Sequence, residues 1–256
     1  MFGEGFAGGM SLNEAPQQLA RRFSLRRELG RGGMGVVWHA TDELLGREVA
    51  LKQIKPTALS RAGVDSTLRD RMMREARAAA RLNHPGAVTV YDVVRDDDDI
   101  YIVMELINAS SLHDLVGKDG PLPISRAVTI GLEILEVLAA AHRAGIVHRD
   151  VKPANVMILP GDSVKLTDFG IARLAGDPTL TAAGAALGSP AYMAPEQIRG
   201  ATSTAATDLW ALGATLYYAV EGKTAFAAGN PAAAIAAVLS PVIPLRKFRT
   251  PRTLPA

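Results

Sequence analysis

No cysteine occurs anywhere in the chain, which excludes a disulfide framework and thiolate metal sites. That absence is compatible with a reducing cytoplasm but does not establish one. There is no uninterrupted apolar run of about 18 residues, so no transmembrane helix is expected. The first ten residues lack both a basic start and a long apolar run, so no signal peptide is visible. Nor does one sign of charge dominate. The net charge of +2 is too small to argue for nucleic acid. The imbalance that does exist sits at the end, where Arg246, Lys247, Arg249 and Arg252 carry four cations with no acid and leave the rest at −2. What remains is ordinary for a globular protein, 48% hydrophobic and 21% charged. Its 256 residues suffice for one domain of two lobes or two small domains.

Hydrophobic periodicity divides the chain in two. Residues 1–20 are rich in small and polar types and read as a flexible leader. Residues 23–29, 36–40 and 47–54 read as strands. Residues 66–82 read as a helix with Leu68, Met72, Glu75 and Ala79 on one face, ended by Asn83-His84-Pro85. Two more strands are expected at 87–94 and 100–106, joined by a solvated tip from Asp96 to Asp99. Beyond Leu106 the pattern turns helical, at 111–116, 124–144, 204–220 and 231–239. In the second of these helices Ile130, Ile134, Leu138 and Ala141 fall in register. The division is therefore a β-rich part over 21–107, a helical part over 108–240, and a basic tail over 241–256 expected to be disordered.

Gly30, Gly32 and Gly35 form G-x-G-x-x-G, weak evidence alone. In a dinucleotide fold the last glycine would open a helix, but Val36-Val37-Trp38 favours a strand. A glycine loop between strands can approach phosphates closely, or it can be a plain hairpin turn. The next strand places Ala50 and Lys52 on one face. A lysine inside an apolar strand needs an anion, and Glu75 on its helix's apolar face offers one. The stretch IVHRDVKPANVMILP then sets His148, Arg149, Asp150, Lys152 and Asn155 between two apolar runs. Asp168-Phe169-Gly170 and Ala194-Pro195-Glu196 follow.

With these motifs in this order, the sequence resembles a protein kinase domain, of the bacterial serine/threonine type related to eukaryotic kinases. The resemblance covers about residues 23–239. It implies an α+β, bilobal fold: a small antiparallel β-sheet lobe with one helix, and a mostly helical lobe lacking its last helices. It implies transfer of the ATP γ-phosphate to Ser/Thr hydroxyls of proteins, with Mg²⁺ or, in its place, Mn²⁺. By resemblance, Asp150 takes the hydroxyl proton and Lys152 contacts the γ-phosphate. Asn155 and Asp168 hold the metal, and Lys52 holds the α- and β-phosphates, oriented by Glu75. Gly30, Gly32 and Gly35 cover the phosphates. Met104 is the gatekeeper, backbone groups of Glu105 and Ile107 bond the adenine, and Val37, Ala50 and Met157 sandwich it. His148 is expected to hold the loop rather than act as a base. Thr179 and Thr181 are the autophosphorylation candidates, with Arg149 as the phosphate's partner.

Two departures accompany the resemblance. Ala225-Phe226 stands where kinases usually show Pro-Phe. No arginine is placed to pair with Glu196, so an unpaired glutamate and exposed apolar surface on the helical lobe are expected. The alternative function is a catalytically weak or inactive kinase-fold module that binds nucleotide or a partner. Expected partners are Ser/Thr-containing proteins, with a homodimer or a partner kinase allowed by the family. No nucleic acid is expected. The chain as it stands reads as cytoplasmic.

Overall fold

The computed structural model describes residues 18–32, 35–54, 80–96, 99–169, 190–226 and 230–240. Strands β1 (Gln18–Leu19), β2 (Phe23–Gly32), β3 (Gly35–Asp42), β4 (Arg47–Ile54), β5 (Val90–Asp96) and β6 (Asp99–Glu105) build one antiparallel sheet in the order β1-β2-β3-β4-β6-β5. The alternation along β4 decides its faces. Val49 and Leu51 join Leu19, Phe23, Ala40, Tyr101 and Val103 in a buried cluster on one side. Ala50 and Lys52 point to the other face, opposite Met104 and Ile102 of β6 and beside Val37 of β3. That second face looks toward the helical lobe.

Gln18 and Leu19 were assigned to the leader on sequence grounds. They instead pair with Ser24 and Phe23, and Leu19 is buried. A leucine that caps the sheet's apolar face is retained by burial, whatever its polar neighbours. Strand β5 starts three residues later than expected. The backbone at 86–88 is bonded to the other lobe, Leu166 N–H to Gly86 O and Val88 N–H to Leu166 O, so it is not available to β6. Residues 80–82 are turn and coil rather than helix end, consistent with the approach to Pro85. At the edge of the expected tip, Asp99 accepts a bond from Gln53 Nε2 rather than facing solvent alone. Most of the expected helix at 66–82 and the tail lie outside the described residues.

The sheet's outer end is held by Asp42, whose fully buried carboxylate takes two bonds from the Arg22 guanidinium at 2.9 and 2.7 Å. The hydrogen bonding by Arg22, against the opposing effect of burial, holds the Asp42 carboxyl below the usual range. A depressed carboxyl stabilises the fold above its unfolded pKa of about 3.9 and loses that contribution as pH falls through the lower folded value. Urea midpoints are therefore expected to drop on acidification below about pH 4, and less steeply in Asp42→Asn than in the unmutated chain. Equal slopes would refute the assignment.

The second lobe is built on helices α1 (Leu112–Asp119), α2 (Ile124–Arg143), α3 (Pro195–Ile198), α4 (Ala205–Glu221) and α5 (Pro231–Leu239), with a small sheet of β7 (Ser110–Ser111), β8 (Val156–Ile158) and β9 (Val164–Leu166). Ser111 starts α1 through a capping box with Asp114. The four residues read in register on α2 are all buried. Gly131 lets α2 approach α4 closely, since a Cβ there would stand 3.1 Å from Leu216. On its other side α2 exposes Ile124, Val128, Leu132 and Leu135, and α4 exposes Leu209. No helix among the described residues is long and apolar enough to cross a membrane.

Candidate active site

The hairpin joining β2 to β3 carries the three glycines. Gly30 pairs with Val37 and Gly32 with Gly35. Gly35 has φ +143°, and a Cβ there would lie 1.9 Å from the Gln53 carbonyl oxygen, so only glycine fits. Beneath the hairpin, Ala50, Val88 and Met104 form a buried apolar cluster, with Val37, Leu106 and Ile107 packed on it. Four residues expected around the adenine thus meet in one place. Val88 and Leu106 join them without a motif to announce them. Met157, on β8 of the other lobe and opposite Ser111 and Lys165, is not in that cluster. The Glu105 N–H donates to the Thr89 carbonyl at 3.0 Å, so it is taken up within the protein. Its side chain also bridges the lobes, accepting from Lys165 Nζ at 2.5 Å.

Lys52 Nζ lies 2.7 Å from Asp168 Oδ2, an ion pair across the cleft between the lobes. Lys52 is buried. Burial alone would raise the Asp168 carboxyl. The charge and hydrogen bond of Lys52, with the charge of Lys152 behind them, outweigh it and hold the group below the usual range. The expected partner Glu75 lies outside the described residues, as do Gly170, Thr179 and Thr181.

The loop from 146 to 155 is held from beneath by one carboxylate. Asp208, fully buried on α4, accepts the N–H of His148 at 2.9 Å and of Arg149 at 2.7 Å, and takes a bond from His142 Nε2 at 2.7 Å. His148 is itself fully buried. Its Nε2 donates to the Thr167 carbonyl at 2.9 Å, and its Nδ1 accepts the Asp150 N–H at 3.2 Å. Desolvation lowers its pKa, so the ring stays neutral and braces the loop. On the upper side of the loop Asp150 Oδ2 accepts from Lys152 Nζ at 2.7 Å and Asn155 Nδ2 at 3.0 Å. Asn155 Nδ2 also bonds the Asp150 carbonyl, which leaves the Asn155 amide oxygen as an acceptor. Arg149 and Asp168 both sit in the left-handed region, at φ +67° and +65°. Such strain in non-glycine residues clusters at functional sites.

The Glu196 carboxylate, expected to lack an arginine, is hydrogen-bonded all the same, because its Oε1 accepts the Thr207 hydroxyl at 2.7 Å. A neutral hydroxyl one helix away supplies one bond and no charge. Asp208, His142, Thr207 and Gln197 all escaped the sequence reading as functional supports. Their partners are distant in the chain, and no local spacing marks them.

The donor set fits a divalent cation held together with a nucleotide. Among the described residues no three His, Cys, Asp or Glu side chains gather into a cage. Mg²⁺-type sites typically use one or two protein oxygens plus phosphates and water, and Asn155 and Asp168 can supply those oxygens.

A small antiparallel sheet stacked over a helical lobe, with a lysine–aspartate pair across the cleft and a strained, braced loop carrying Asp150 below it, defines the protein kinase class. Direct comparison agrees. A family model described as protein kinase domain matches residues 23–252, and the chain belongs to that family. It is 43% identical over 219 residues to a probable serine/threonine-protein kinase of Corynebacterium efficiens, covering 83% of this chain and 33% of that one. A probable serine/threonine-protein kinase of Streptomyces coelicolor is 42% identical over 226 residues, covering 86% of this chain and 33% of that one. The serine/threonine-protein kinase PknA of Mycobacterium tuberculosis is 40% identical over 214 residues, covering 82% and 49%. The chain thus spans between a third and a half of the length of these relatives. Membership of the family implies ATP and a divalent metal.

Proposed function

We propose that this chain is a serine/threonine protein kinase domain that transfers the γ-phosphoryl group of Mg-ATP to Ser/Thr hydroxyls of proteins. The observation that carries the reading is the convergence of Lys152 and Asn155 on the Asp150 carboxylate, together with the Lys52–Asp168 ion pair across the cleft. Phosphoryl transfer needs positioning and charge neutralisation more than covalent chemistry from the protein. Asp150 binds its two neighbours through Oδ2, and Oδ1 serves to orient the substrate hydroxyl and take its proton. Lys152 offsets charge on the transferred group. Lys52 holds the α- and β-phosphates, and Glu75 orients it. Asn155 and Asp168 hold the metal, which neutralises the phosphates when bound. The glycine hairpin covers the phosphates. Val37, Ala50 and Met157 enclose the adenine beside Met104, against the Glu105 carbonyl and the Ile107 backbone. The lobe boundary falls near residues 107–110.

A protein substrate is supported by an open groove that begins at Lys152 and Ala154. It continues over Tyr192, Tyr218 and Phe226. The relatives named as serine/threonine kinases support the choice of hydroxyl. Dependence on ATP favours action in the cytoplasm. Nothing in the site favours a module without catalysis, since its described charged groups are present and mutually bonded.

Peptide mass spectrometry after incubation with Mg-ATP and a generic Ser/Thr substrate tests the proposal. Phosphate is expected on the substrate and on Thr179 or Thr181. A folded chain that phosphorylates neither overturns it.

A further inference from the structure

We infer that Gln197 is a positioning residue for Asp150, acting through the Arg149 carbonyl. Gln197 lies on α3, 48 positions from Arg149 and outside every motif that identified the site. Its buried carboxamide uses both ends. Oε1 accepts the Ala194 N–H at 2.9 Å, and Nε2 donates to the Arg149 carbonyl at 2.9 Å. The side chain therefore ties the backbone before α3 to the peptide plane that precedes Asp150.

That plane needs holding. Arg149 sits at φ +67°, a conformation that an L-residue with a long side chain rarely adopts unaided. Its N–H is fixed from below by Asp208 at 2.7 Å. Its carbonyl oxygen is fixed from the side by Gln197, and the N–H at the far end of the same peptide by His148 Nδ1 at 3.2 Å. The orientation of the 149–150 peptide sets the direction in which the Asp150 side chain leaves the loop. If the Gln197 bond is lost, one of the restraints against a flip of this peptide goes with it. Asp150 then drifts from its place beside Lys152 and Asn155. Glutamine suits the position because it both accepts and donates. Glutamate still accepts from Ala194 N–H but sets an oxygen against the Arg149 carbonyl. Methionine fills the space and does neither.

The test uses the whole chain as Gln197→Glu and Gln197→Met beside the unmutated protein, with two readouts. Amide hydrogen exchange is followed in peptides covering 146–151, 124–143 and 205–221. Steady-state kinetics are followed with Mg-ATP. The expected result in both variants is faster exchange confined to 146–151. With it, kcat falls about tenfold or more while KM for ATP stays within about twofold, since only the placement of the transferring groups has changed. Unchanged exchange at 146–151 overturns the inference. So does faster exchange spread equally through 124–143 and 205–221, which would make Gln197 a general packing residue. So does local exchange with unaltered kcat. The kinetic arm rests on the kinase reading and the exchange arm does not. A chain that transfers no phosphate even unmutated refutes that reading, and the exchange pattern then decides the brace by itself.

Discussion

Asp150→Asn is expected to lower kcat by about 10²–10⁴-fold, the range that loss of a positioned general base produces. Asparagine is nearly isosteric, and its amide oxygen can still accept from Lys152 and Asn155, whose bonds to Oδ2 are 2.7 and 3.0 Å. What it cannot do is take a proton. It also removes the negative charge that Lys152 now balances. The defect should therefore appear in kcat, with nucleotide affinity and thermal midpoint close to those of the unmutated chain. Thermal shift in Mg-ATP against kinetics at saturating ATP separates these quantities. A variant retaining more than about a tenth of the rate would show that Asp150 is not the base.

Asp208→Ala is expected to have the largest effect on stability. The carboxylate is fully buried and serves three donors, two of them backbone N–H groups at 148 and 149. Each hydrogen bond to a charged group contributes about 1.5–3 kcal/mol, and a buried donor left without a partner carries its full desolvation cost. Because the three bonds share one carboxylate they do not simply add, and a loss of about 3–5 kcal/mol is expected, against a typical folding free energy of about 5–15 kcal/mol. For a chain of this size that lowers the thermal midpoint by about 6–20 °C. Asp208→Asn should recover only part of it. Its single carbonyl oxygen can serve some of the donors, while its NH₂ meets another donor head-on. Calorimetry of both variants checks this, and a midpoint within about 2 °C of the unmutated protein for Asp208→Ala would refute the buried-anchor account. Because Asp208 holds His148 and Arg149, activity should fall even at temperatures where the variant remains folded.

Much of the first lobe could be read from the chain. Strand β4 reads residue for residue, because a short run rich in apolar and β-branched residues is bounded by Gly46 and Pro56. Helix α5 was placed as closely, because a proline follows Asn230 at its start and an apolar run carries it to Leu239. Where the reading slipped, a tertiary contact had overridden a local one. Leu19 was drawn into the sheet by burial. Residues 86–88 were bonded to β9 rather than β6, with Gly86 packed so closely that a Cβ would stand 2.4 Å from Val137.

The amino-acid sequence by itself determined the chemistry. It set which side chains were available, their order, and the two-part division, because motif spacing and periodicity are local properties of the chain. Only the tertiary structure decided what holds that chemistry in place. Asp208 beneath the loop, Gln197 at its side, Thr207 against Glu196 and Lys165 against Glu105 pair across 11 to 60 positions. Each is a single polar side chain whose partner is set by how lobes and helices pack. A buried polar group must find a partner, but the sequence does not say which one.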